Sequence, residues 1–476
     1  MKQIIFCLLM ASTLTATAVV PDTLELTLDD AIMLAQARSS DSRVARHSFL
    51  ASEWSYKFYK ANYLPSLTFS SSPALNRVIS KITLPDGTSS FIKQNQLSTN
   101  ATLSITQNIA LTGGQLFLKS TLLRNDEFAN KTVAYNSQPV VIGYQQTLFG
   151  YNSLKWSRRI EPLYYSRAEK SYNESLELIA SRAVTYFFAV AQAQTELEIA
   201  LYNYASADTL NRYARGRYDI GRITESEMLQ LELNKVSAEA NVLSARNLLD
   251  DAMQTLCSYL SINNGVVVEV KVDSVVPSLQ VEPAKALALA YEHSPDPVSF
   301  KLRVLEGQSN LAVAKANSGL QADLYVQLGL SQTADNLAGS YRSPLDQEYA
   351  SIGISLPILD WGRGKGRVKV AESNLKLIET QVEQEYKDFE INIGRLVRQF
   401  NLQAYRVEIA AKTAQLAQQR YDVARHLYML GKSTILDFNT ATQEKDAAYR
   451  GHISAIERFW SLYYGLRSMT GGKVFE

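Results

Sequence analysis

The chain has little cysteine, no excess of one charge and no long apolar run beyond its N-terminal segment. Its two cysteines are Cys7 and Cys257, and because Cys7 lies in that segment, Cys257 has no partner for an internal disulfide. Cys257 is best explained as a small buried residue. Lysine and arginine number 48 against 47 acidic residues, so charge gives no reason to expect a nucleic-acid partner. No later run reaches eighteen apolar residues, which excludes a transmembrane helix.

The motifs of common enzyme and metal sites are also missing. The histidines, at positions 47, 293, 426 and 452, show no paired metal spacing, and neither a G-x-S-x-G nor a Walker sequence occurs. The stretch WGRGKGR from Trp361 lacks the pattern of a phosphate loop and fits a junction between a strand and a helix. The sequence therefore predicts no enzyme, no cofactor and no metal site.

The N-terminal segment has the organisation of an export signal. Lys2 precedes an apolar run from Ile4 to Met10, and Ala16-Thr17-Ala18 supplies the small residues of a cleavage site. We expect residues 1–18 to be a signal peptide, and the mature protein to be exported.

Prolines are absent from two long windows, Leu163 to Val276 and Ile358 to Glu476. Because proline breaks helix interiors, these windows predict long helices. In the second window apolar side chains recur at intervals of seven residues, at Leu375, Val382, Phe389 and Leu396. This spacing is typical of a coiled-coil seam, so we interpret it as helix packing rather than as a cofactor site.

The chain also repeats itself. RYDIGRITESEM from Arg217 aligns with LYMLGKSTILDF from Leu427 at a shift of 210 residues, and AIMLAQARSSDS from Ala31 aligns with ALALAYEHSPDP from Ala286 at a shift of 255. Such a repeat decides the architecture. We predict a first structural repeat at 19–262, a linker at 263–283 and a second repeat at 284–472. Each repeat is expected to contain a helix, strands, a long helix, a tip and a second long helix.

Apolar residues alternate with serine, threonine, asparagine and glutamine at 63–150 in the first repeat and at 320–360 in the second. Runs of roughly 9–11 residues in this pattern suit the tilted strands of a membrane β-barrel. Since the shift falls from 255 to 210, the first repeat carries extra residues, around LTGGQLFLKSTLLRNDEFANKT from Leu111. These residues add either a hairpin or a longer surface loop. The predicted fold is mainly α, with tandem coiled-coil hairpins and a β-barrel portion.

The repeated sequence has the local signals of a helical hairpin tip. Gly221 and Gly431 are placed to end a helix in the left-handed conformation. A threonine lies three positions after each glycine. An acidic residue three positions after that threonine completes a capping box for the next helix: Thr224 with Glu227, and Thr434 with Asp437. The tips are therefore predicted near 216–227 and 428–437.

Together these features resemble the TolC-like outer-membrane efflux channel family over essentially the whole mature chain. The junctions QQTLFGYNSLKW from Gln145 and SLPILDWGRGKGR from Ser355 resemble the family's Q-P-L-F-x-G element, and the tips resemble its Y-x-x-G-x-x-x-x-x-D signature. The resemblance implies a homotrimer in which each protomer gives two strand pairs to one outer-membrane β-barrel. The helices would form a hollow tunnel through the periplasm.

The resemblance also implies a role, partners and a location. The chain would be the passive exit duct of a tripartite efflux or type I secretion system in the outer membrane of a Gram-negative bacterium. An inner-membrane transporter would deliver substrates through a periplasmic adaptor (membrane fusion protein), and outer-membrane lipid would surround the strands. The alternative is a soluble periplasmic coiled-coil scaffold or adaptor protein. The sequence does not identify the transported substrate.

The family's periplasmic gate maps onto four residues of this chain: Asp437 as the entrance acid, Tyr428 as the latch tyrosine, and Glu227 and Ser226 as its first-repeat partners. Two positions depart from the family. Ser433 stands where the latch arginine is expected, and Thr440 stands at a second entrance acid. An entrance ring would then carry three carboxylates, all from Asp437, and would be sensitive to cations. The alternative is that Asp437 is only a capping residue.

The resemblance assigns two further groups of residues. The tips would dock the adaptor through Gly221, Arg222, Ile223 and Thr224 in the first repeat and Gly431, Lys432, Ser433 and Thr434 in the second. Trp156 and Trp361 follow the two strand regions, so they would mark the periplasmic lipid interface or pack between barrel and tunnel.

Overall fold

The computed structural model describes residues 23–83, 85–263 and 267–475, and the predicted signal peptide lies outside them. The chain forms two compact units. The first comprises the chain up to Ala45, Glu174–Leu289 and Ile393–Glu476, and the second comprises Arg46–Asn173 and Ala290–Asn392. Each unit therefore contains segments of both sequence repeats.

Eight α-helices lie in the described part of the chain, and the longest lie mainly in the proline-free windows as predicted, although the first long helix begins before its window and contains Pro162. They are α1 (Leu28–Arg38), α2 (Ser40–Ala61), α3 (Ser153–Asp219), α4 (Glu225–Leu260), α5 (Pro283–His293), α6 (Asp296–Ala316), α7 (Arg363–Met429) and α8 (Ile435–Thr470). Helices α3 and α7 have 67 residues each. Two long helical hairpins, α3–α4 and α7–α8, thus dominate the fold.

The helix expected at the start of each repeat is divided in two. In the first repeat Ser39 adopts an extended conformation and ends α1, and its Oγ accepts a hydrogen bond from the N–H of Ser42 (3.1 Å) in the first turn of α2. In the second repeat Pro295 follows Ser294, and the residue before a proline is disfavoured in a helix. The prediction of a single helix was wrong because Ser39 and Pro295 interrupt the helix in the two repeats.

The strands are β1 (Thr23–Leu26), β2 (Ser66–Thr83), β3 (Ser89–Ile109), β4 (Gly114–Glu127), β5 (Thr132–Leu148), β6 (Val267–Val270), β7 (Gln321–Ala334) and β8 (Leu345–Ser355). In the first unit β1 and β6 form a parallel pair that the sequence did not predict. In the second unit the other six form one antiparallel sheet in the order β2-β3-β4-β5-β7-β8. The extra residues of the first repeat therefore add a hairpin, and the expectation of two strand pairs per chain was wrong.

The two faces of the six-stranded sheet differ in polarity. Partner residues in an antiparallel sheet point to the same side, so the register decides each face. One transverse row is solvent-exposed and apolar on five strands, with Leu67, Ile105, Leu118, Ile142 and Leu328, and it ends at Glu348 on β8. The next row, on the opposite face, mixes polar and apolar residues: Ser66, Thr106, Phe117, Gly143, Gln327 and Tyr349. The exposed apolar face cannot be explained by packing within this chain.

The junctions between strands and long helices are capped by polar side chains. Before α3, the Oδ1 of Asn152 accepts a hydrogen bond from the N–H of Lys155 (2.9 Å). Before α7, the carboxylate of Asp360 accepts from the N–H groups of Gly362 (2.9 Å) and Gly364 (2.7 Å). These bonds satisfy helix N–H groups that have no partner inside the helix. WGRGKGR is thus a strand-to-helix junction, as predicted.

Candidate functional site at the hairpin tips

Both predicted tips are tight turns between two helices. Gly221 and Gly431 have φ of 70° and 71°, the left-handed region that glycine adopts at no steric cost. The N–H of Arg222 donates to the carbonyl of Arg217 (2.8 Å), and the N–H of Lys432 donates to the carbonyl of Leu427 (2.9 Å). Together with the bonds from the glycine N–H groups, these contacts end α3 and α7 in the manner predicted.

A reciprocal capping box begins each following helix, also as predicted. Glu227 N–H donates to Thr224 Oγ1 (3.2 Å), and Thr224 N–H donates to the Glu227 carboxylate (3.3 Å). The second tip repeats these bonds between Asp437 and Thr434, at 3.2 and 3.3 Å. Each acid therefore has a structural role in its own turn, whatever further role it has.

The Asp437 carboxylate is exposed, and it accepts several hydrogen bonds from residues of its own turn. It accepts additional hydrogen bonds from the hydroxyls of Thr434 (2.7 Å) and Ser433 (3.2 Å). Hydrogen bonding from Thr434 holds the pKa of Asp437 below its usual value. The group is therefore ionised at neutral pH, and each chain carries one fixed negative charge at this tip.

An apolar cluster joins the two tips, and Tyr428 lies inside it. The cluster consists of Leu210, Ala214, Leu231, Tyr421, Tyr428 and Phe438. The Tyr428 ring stacks on Phe438, with centroids 5.9 Å apart. Burial, followed by the nearby Glu227 charge, raises the Tyr428 pKa. The structure thus brings Tyr428 near Glu227, while Ser226 is exposed on the first turn of α4.

Two side chains of α3 contact the second tip directly. The Tyr213 hydroxyl donates to the carbonyl of Met429 (3.0 Å). The Arg217 guanidinium lies beside Gly431, where its Nη2 is 3.1 Å from the position a Cβ would take. Neither residue was predicted from the sequence as a site residue. The positions 210 residues later are Val423 and Leu427, so the two repeats do not share these side chains.

The eight proposed docking residues do not all face outwards. Six are exposed: Gly221, Arg222, Thr224, Gly431, Lys432 and Thr434. Ile223 is partly buried and packs against the cluster between the tips. Ser433 is partly buried and donates to Asp437. Arg222 and Lys432 are therefore the exposed cations among these eight residues.

Helix α7 carries two rows of apolar residues at seven-residue spacing. The first row is buried: Phe400, Val407, Ala414, Tyr421 and Tyr428. The second row starts two residues later and is exposed, with Leu402, Ile409, Leu416 and Val423 on the helix and Leu430 in the turn directly after it. Helix α4 has the same arrangement. Its residues Leu231, Ala238 and Ala245 are buried, whereas Leu229, Val236 and Leu243 are exposed. Each helix thus has a coiled-coil face that no other described residue of the chain covers.

A buried ion pair lies between the hairpins above the tips. Lys445 is 3% exposed, and its Nζ is 3.3 Å from an Asp446 carboxylate oxygen. The same Nζ is 4.4 Å from the ring centroids of both Tyr202 and Tyr421. Asn203 donates to the other Asp446 oxygen (2.7 Å). These contacts connect α3, α7 and α8 in the first unit.

The two junction tryptophans differ in environment. Trp156 is partly buried in the first turn of α3, with the Arg159 guanidinium 5.1 Å from its ring centroid. Trp361 is 87% exposed and has a φ of 56°. The turn before α7 therefore presents a large apolar ring to the surroundings.

The described residues, 23–83, 85–263 and 267–475, contain neither a candidate metal-binding cluster nor a helix suited to span a membrane. Among them, no cluster of three or more His, Cys, Asp or Glu side chains is arranged to hold a metal ion. In the same ranges, no helix combines the length and apolar character needed to cross a membrane.

Comparisons with known proteins point to one family. The family described as "Outer membrane efflux protein" matches residues 286–472. The chain is 23% identical over 338 residues to "Outer membrane efflux protein BepC" of Brucella suis biovar 1 (strain 1330), covering 70% of this chain and 72% of the relative. Among solved structures, the outer-membrane channel OprN gives a TM-score of 0.68 at 14% identity, covering 94% of this chain and 91% of OprN. The CmeC outer membrane channel of Campylobacter jejuni gives 0.67 at 15% identity, covering 94% and 86%.

Proposed function

Because this chain belongs to the TolC-like outer membrane efflux protein family, which consists of outer-membrane channels and not enzymes, we propose that three copies form a channel-tunnel. This channel-tunnel is the exit duct of a tripartite efflux or type I secretion system. It passes substrates passively, from a periplasmic adaptor and an inner-membrane transporter to the outside. The driving energy comes from the transporter.

The unpartnered coiled-coil faces of α4 and α7 are the observation that carries this proposal. Exposed rows of leucine, valine and isoleucine are unfavourable in water unless another surface covers them. The exposed α4 residues lie 8, 15 and 22 residues after Gly221, and the exposed α7 residues lie 8, 15 and 22 residues before Gly431: Leu229, Val236 and Leu243, and Val423, Leu416 and Ile409. Two such helices from neighbouring copies can therefore pair antiparallel, row against row, with their tips level.

This pairing supports a closed ring. The two faces belong to different helices, so each copy uses one face for each neighbour. Such head-to-tail contacts close into a ring when the rotation between copies allows it. The number three follows from the family. The sheet supports the same arrangement, since its outer strands β2 and β8 are edges that need partners, and its apolar face suits lipid.

The scaffold alternative is weaker. A soluble scaffold could use the same coiled-coil faces for self-association. It has no use for a six-stranded sheet with an exposed row of leucine and isoleucine across five of its strands, because such a surface would aggregate in water. Lipid around that face accounts for it.

The test is to extract the protein from outer membranes, measure its mass, image it and record its conductance in lipid bilayers. We expect a hollow trimer that conducts. A variant that keeps Trp361 as its only tryptophan is prepared in the same way. Its fluorescence should be quenched by brominated lipids. A monomer without conductance would contradict the channel, and unquenched Trp361 would contradict its place at the lipid interface.

The adaptor is proposed to dock on the exposed tip residues, with Arg222 and Lys432 as its charged contacts. Changing both to glutamate should weaken capture of the adaptor by the purified trimer roughly tenfold or more, because each copy would present repulsive charge in place of attractive charge. The matched control reverses Lys387 and Arg398, which are exposed on α7 away from the tips. Equal capture by the tip variant and the control would contradict this docking site.

Asp437 is proposed to line the closed entrance and, with Tyr428, Glu227 and Ser226, to form the gate region. Three like charges held close together repel one another, and bound cations relieve that repulsion. Asp437→Asn keeps a side chain that can cap α8 but removes the charge. We expect about tenfold more trivalent cation to be needed for half-block of conductance. The control is Glu225→Gln at the first tip. If Asp437→Asn needs the same cation concentration as wild type for half-block of conductance, Asp437 is only a capping residue.

A further inference from the structure

We propose that the outer end of the β2–β3 hairpin binds the phosphate groups of lipid A, the glycolipid of the outer leaflet of the outer membrane. The binding residues are Arg77 and Lys81 on β2 and Lys93 on β3. The inference rests on the proposed function only in placing the apolar face of the sheet in lipid. Since one hairpin supplies all three cations, the site does not depend on the number of copies in the channel.

The register places the three cations on one face of the hairpin. Successive residues of a strand point to opposite faces, so Arg77 and Lys81 share the side of the exposed residue Leu67. On β3, Lys93 pairs with Ile79, which lies midway between the two β2 cations. Diagonal neighbours across an antiparallel pair are about 7–8 Å apart. The three side chains can therefore contact one anionic headgroup together.

No carboxylate of the two strands offsets this charge. Residues 66–83 and 89–109 contain neither aspartate nor glutamate, and Arg77, Lys81 and Lys93 are their only charged residues. Asp86, in the connecting turn, accepts hydrogen bonds from the N–H (3.0 Å) and the hydroxyl (2.7 Å) of Thr88. All three cations are exposed. The hairpin thus presents positive charge on the face assigned to lipid and on no other.

A cation on the neighbouring strand shows the contrast. Arg124 lies on the same face of β4, where its guanidinium forms an ion pair with Asp126 at 2.7 Å. It also lies 5.8 Å from the ring centroid of Tyr135. Arg124 therefore has partners within the sheet, whereas the strands of the β2–β3 hairpin supply no acid to its three cations.

The position of the cations along the strands matches the edge of a membrane. A tilted strand crosses the hydrocarbon layer in about 9–11 residues. Because β2 follows α2, which lies on the periplasmic side in the proposed arrangement, the crossing is counted from Leu67 and ends at 75–77. Arg77 lies at that outer edge, and Lys81 and Lys93 lie just beyond it. Long basic side chains can keep their charges at the headgroups while their stems contact apolar groups.

Apolar side chains accompany the cations on the same face. Ile79 lies between Arg77 and Lys81, and Phe91 is the register partner of Lys81. Both apolar residues are exposed, at 62% and 72%. A ligand for this surface needs acyl chains to cover Ile79 and Phe91 and anionic groups to meet the cations. A phosphorylated glycolipid has both, whereas free phosphate has only the second.

The experiment titrates the purified protein, in mild detergent, with bisphosphorylated lipid A and counts the bound lipid by native mass spectrometry. We expect the triple variant Arg77→Gln, Lys81→Gln, Lys93→Gln to bind at least about tenfold more weakly than wild type, because each cation near the membrane surface adds to the attraction. Arg77→Lys keeps the charge and should bind nearly as well as wild type. Wild type should bind lipid A that lacks its phosphates as weakly as the triple variant binds the intact lipid.

The matched control removes the same charge from the helices. Lys376→Gln, Lys387→Gln and Arg398→Gln together change three exposed positions of α7, outside the sheet, and this protein should bind lipid A like wild type. The triple variant of the hairpin should conduct like wild type in planar bilayers, because its cations share the lipid face and not the opposite one. Equal conductance also shows that the variant is folded.

Several outcomes would overturn the site. Equal binding of lipid A by wild type and the triple variant would show that these cations do not hold it. Equal binding of lipid A with and without phosphates would leave contact with the acyl chains alone. Equally tight binding of phosphatidylglycerol would reduce the site to a general anionic surface, and displacement by an equal concentration of inorganic phosphate would make it a site for the free ion.

The failure of this site and the failure of the proposed function are distinguishable. Wild-type protein that binds lipid A through its phosphates but forms no pores would contradict the channel and leave the lipid site standing. Protein that conducts but binds lipid A without regard to its phosphates would contradict the lipid site and leave the channel standing.

Discussion

Replacing Leu416 with glutamate should abolish the trimer. Leu416 lies in the middle of the exposed row on α7. In the proposed pairing, Val236 of the neighbouring copy would lie opposite it, since both residues are 15 positions from the glycine of their tip. A carboxylate there would be buried against apolar side chains at all three interfaces. An unpaired buried charge costs several kcal/mol, and the cost is incurred three times. The mass of the detergent-extracted protein should fall to that of one chain.

The matched control for this prediction is Gln415→Glu, which adds the same charge on the same turn outside the exposed row. It should remain trimeric. A second measurement uses cysteines at 416 and 236 in a Cys257→Ser background, where oxidation should link neighbouring copies into dimers and trimers. A trimeric Leu416→Glu protein, or an absence of links between copies, would refute the proposed α4–α7 pairing.

Replacing Asp446 with asparagine should strongly destabilise the first unit. The substitution leaves Lys445 buried without its counter-charge, although both tyrosine rings remain beside it. Breaking a buried ion pair typically costs about 3 kcal/mol or more. The thermal unfolding midpoint, followed by circular dichroism, should fall by roughly 5–10 °C. Faster irreversible unfolding should accompany it.

An exposed ion pair provides the control. Glu383 and Lys387 lie 2.8 Å apart on α7 with well-exposed side chains, so Glu383→Gln should leave the unfolding midpoint nearly unchanged. Adding Lys445→Met to Asp446→Asn should recover part of the loss because it removes the uncompensated charge. Equal stability of Asp446→Asn and Glu383→Gln would mean that Lys445 does not need its partner.

Features that depend on neighbouring residues were predictable from the sequence. The left-handed glycines at 221 and 431 end their helices, because few other residues adopt that conformation at low cost. The threonine and acid that follow each glycine form the predicted capping boxes. The buried seam of α7, including Val382 and Phe389, was also predicted. Each signal lies within a few turns of one helix.

The strand region was predictable only in part. Alternating polarity marked the strands, because successive side chains point to opposite faces. It did not decide whether the extra residues of the first repeat pair with their neighbours. Pairing depends on the hydrogen bonds that β3 and β4 make with each other and with β2 and β5. Those bonds join residues of separate strands, such as Ser66 with Thr106, and alternation within one strand does not identify its partner.

The sequence by itself determined the duplication, the long hairpins, their capped tips and the resemblance to the channel family. Only the tertiary structure decided which of the two apolar rows on α7 is buried, since rows two residues apart lie on nearly opposite sides of a helix. It also placed Tyr428 in the interior, enclosed Lys445 between two rings, and brought Tyr213 and Arg217 to the second tip. The physical reason is that a side chain's role in a bundle depends on the rotation of its helix against its neighbours. Packing of all the helices together sets that rotation.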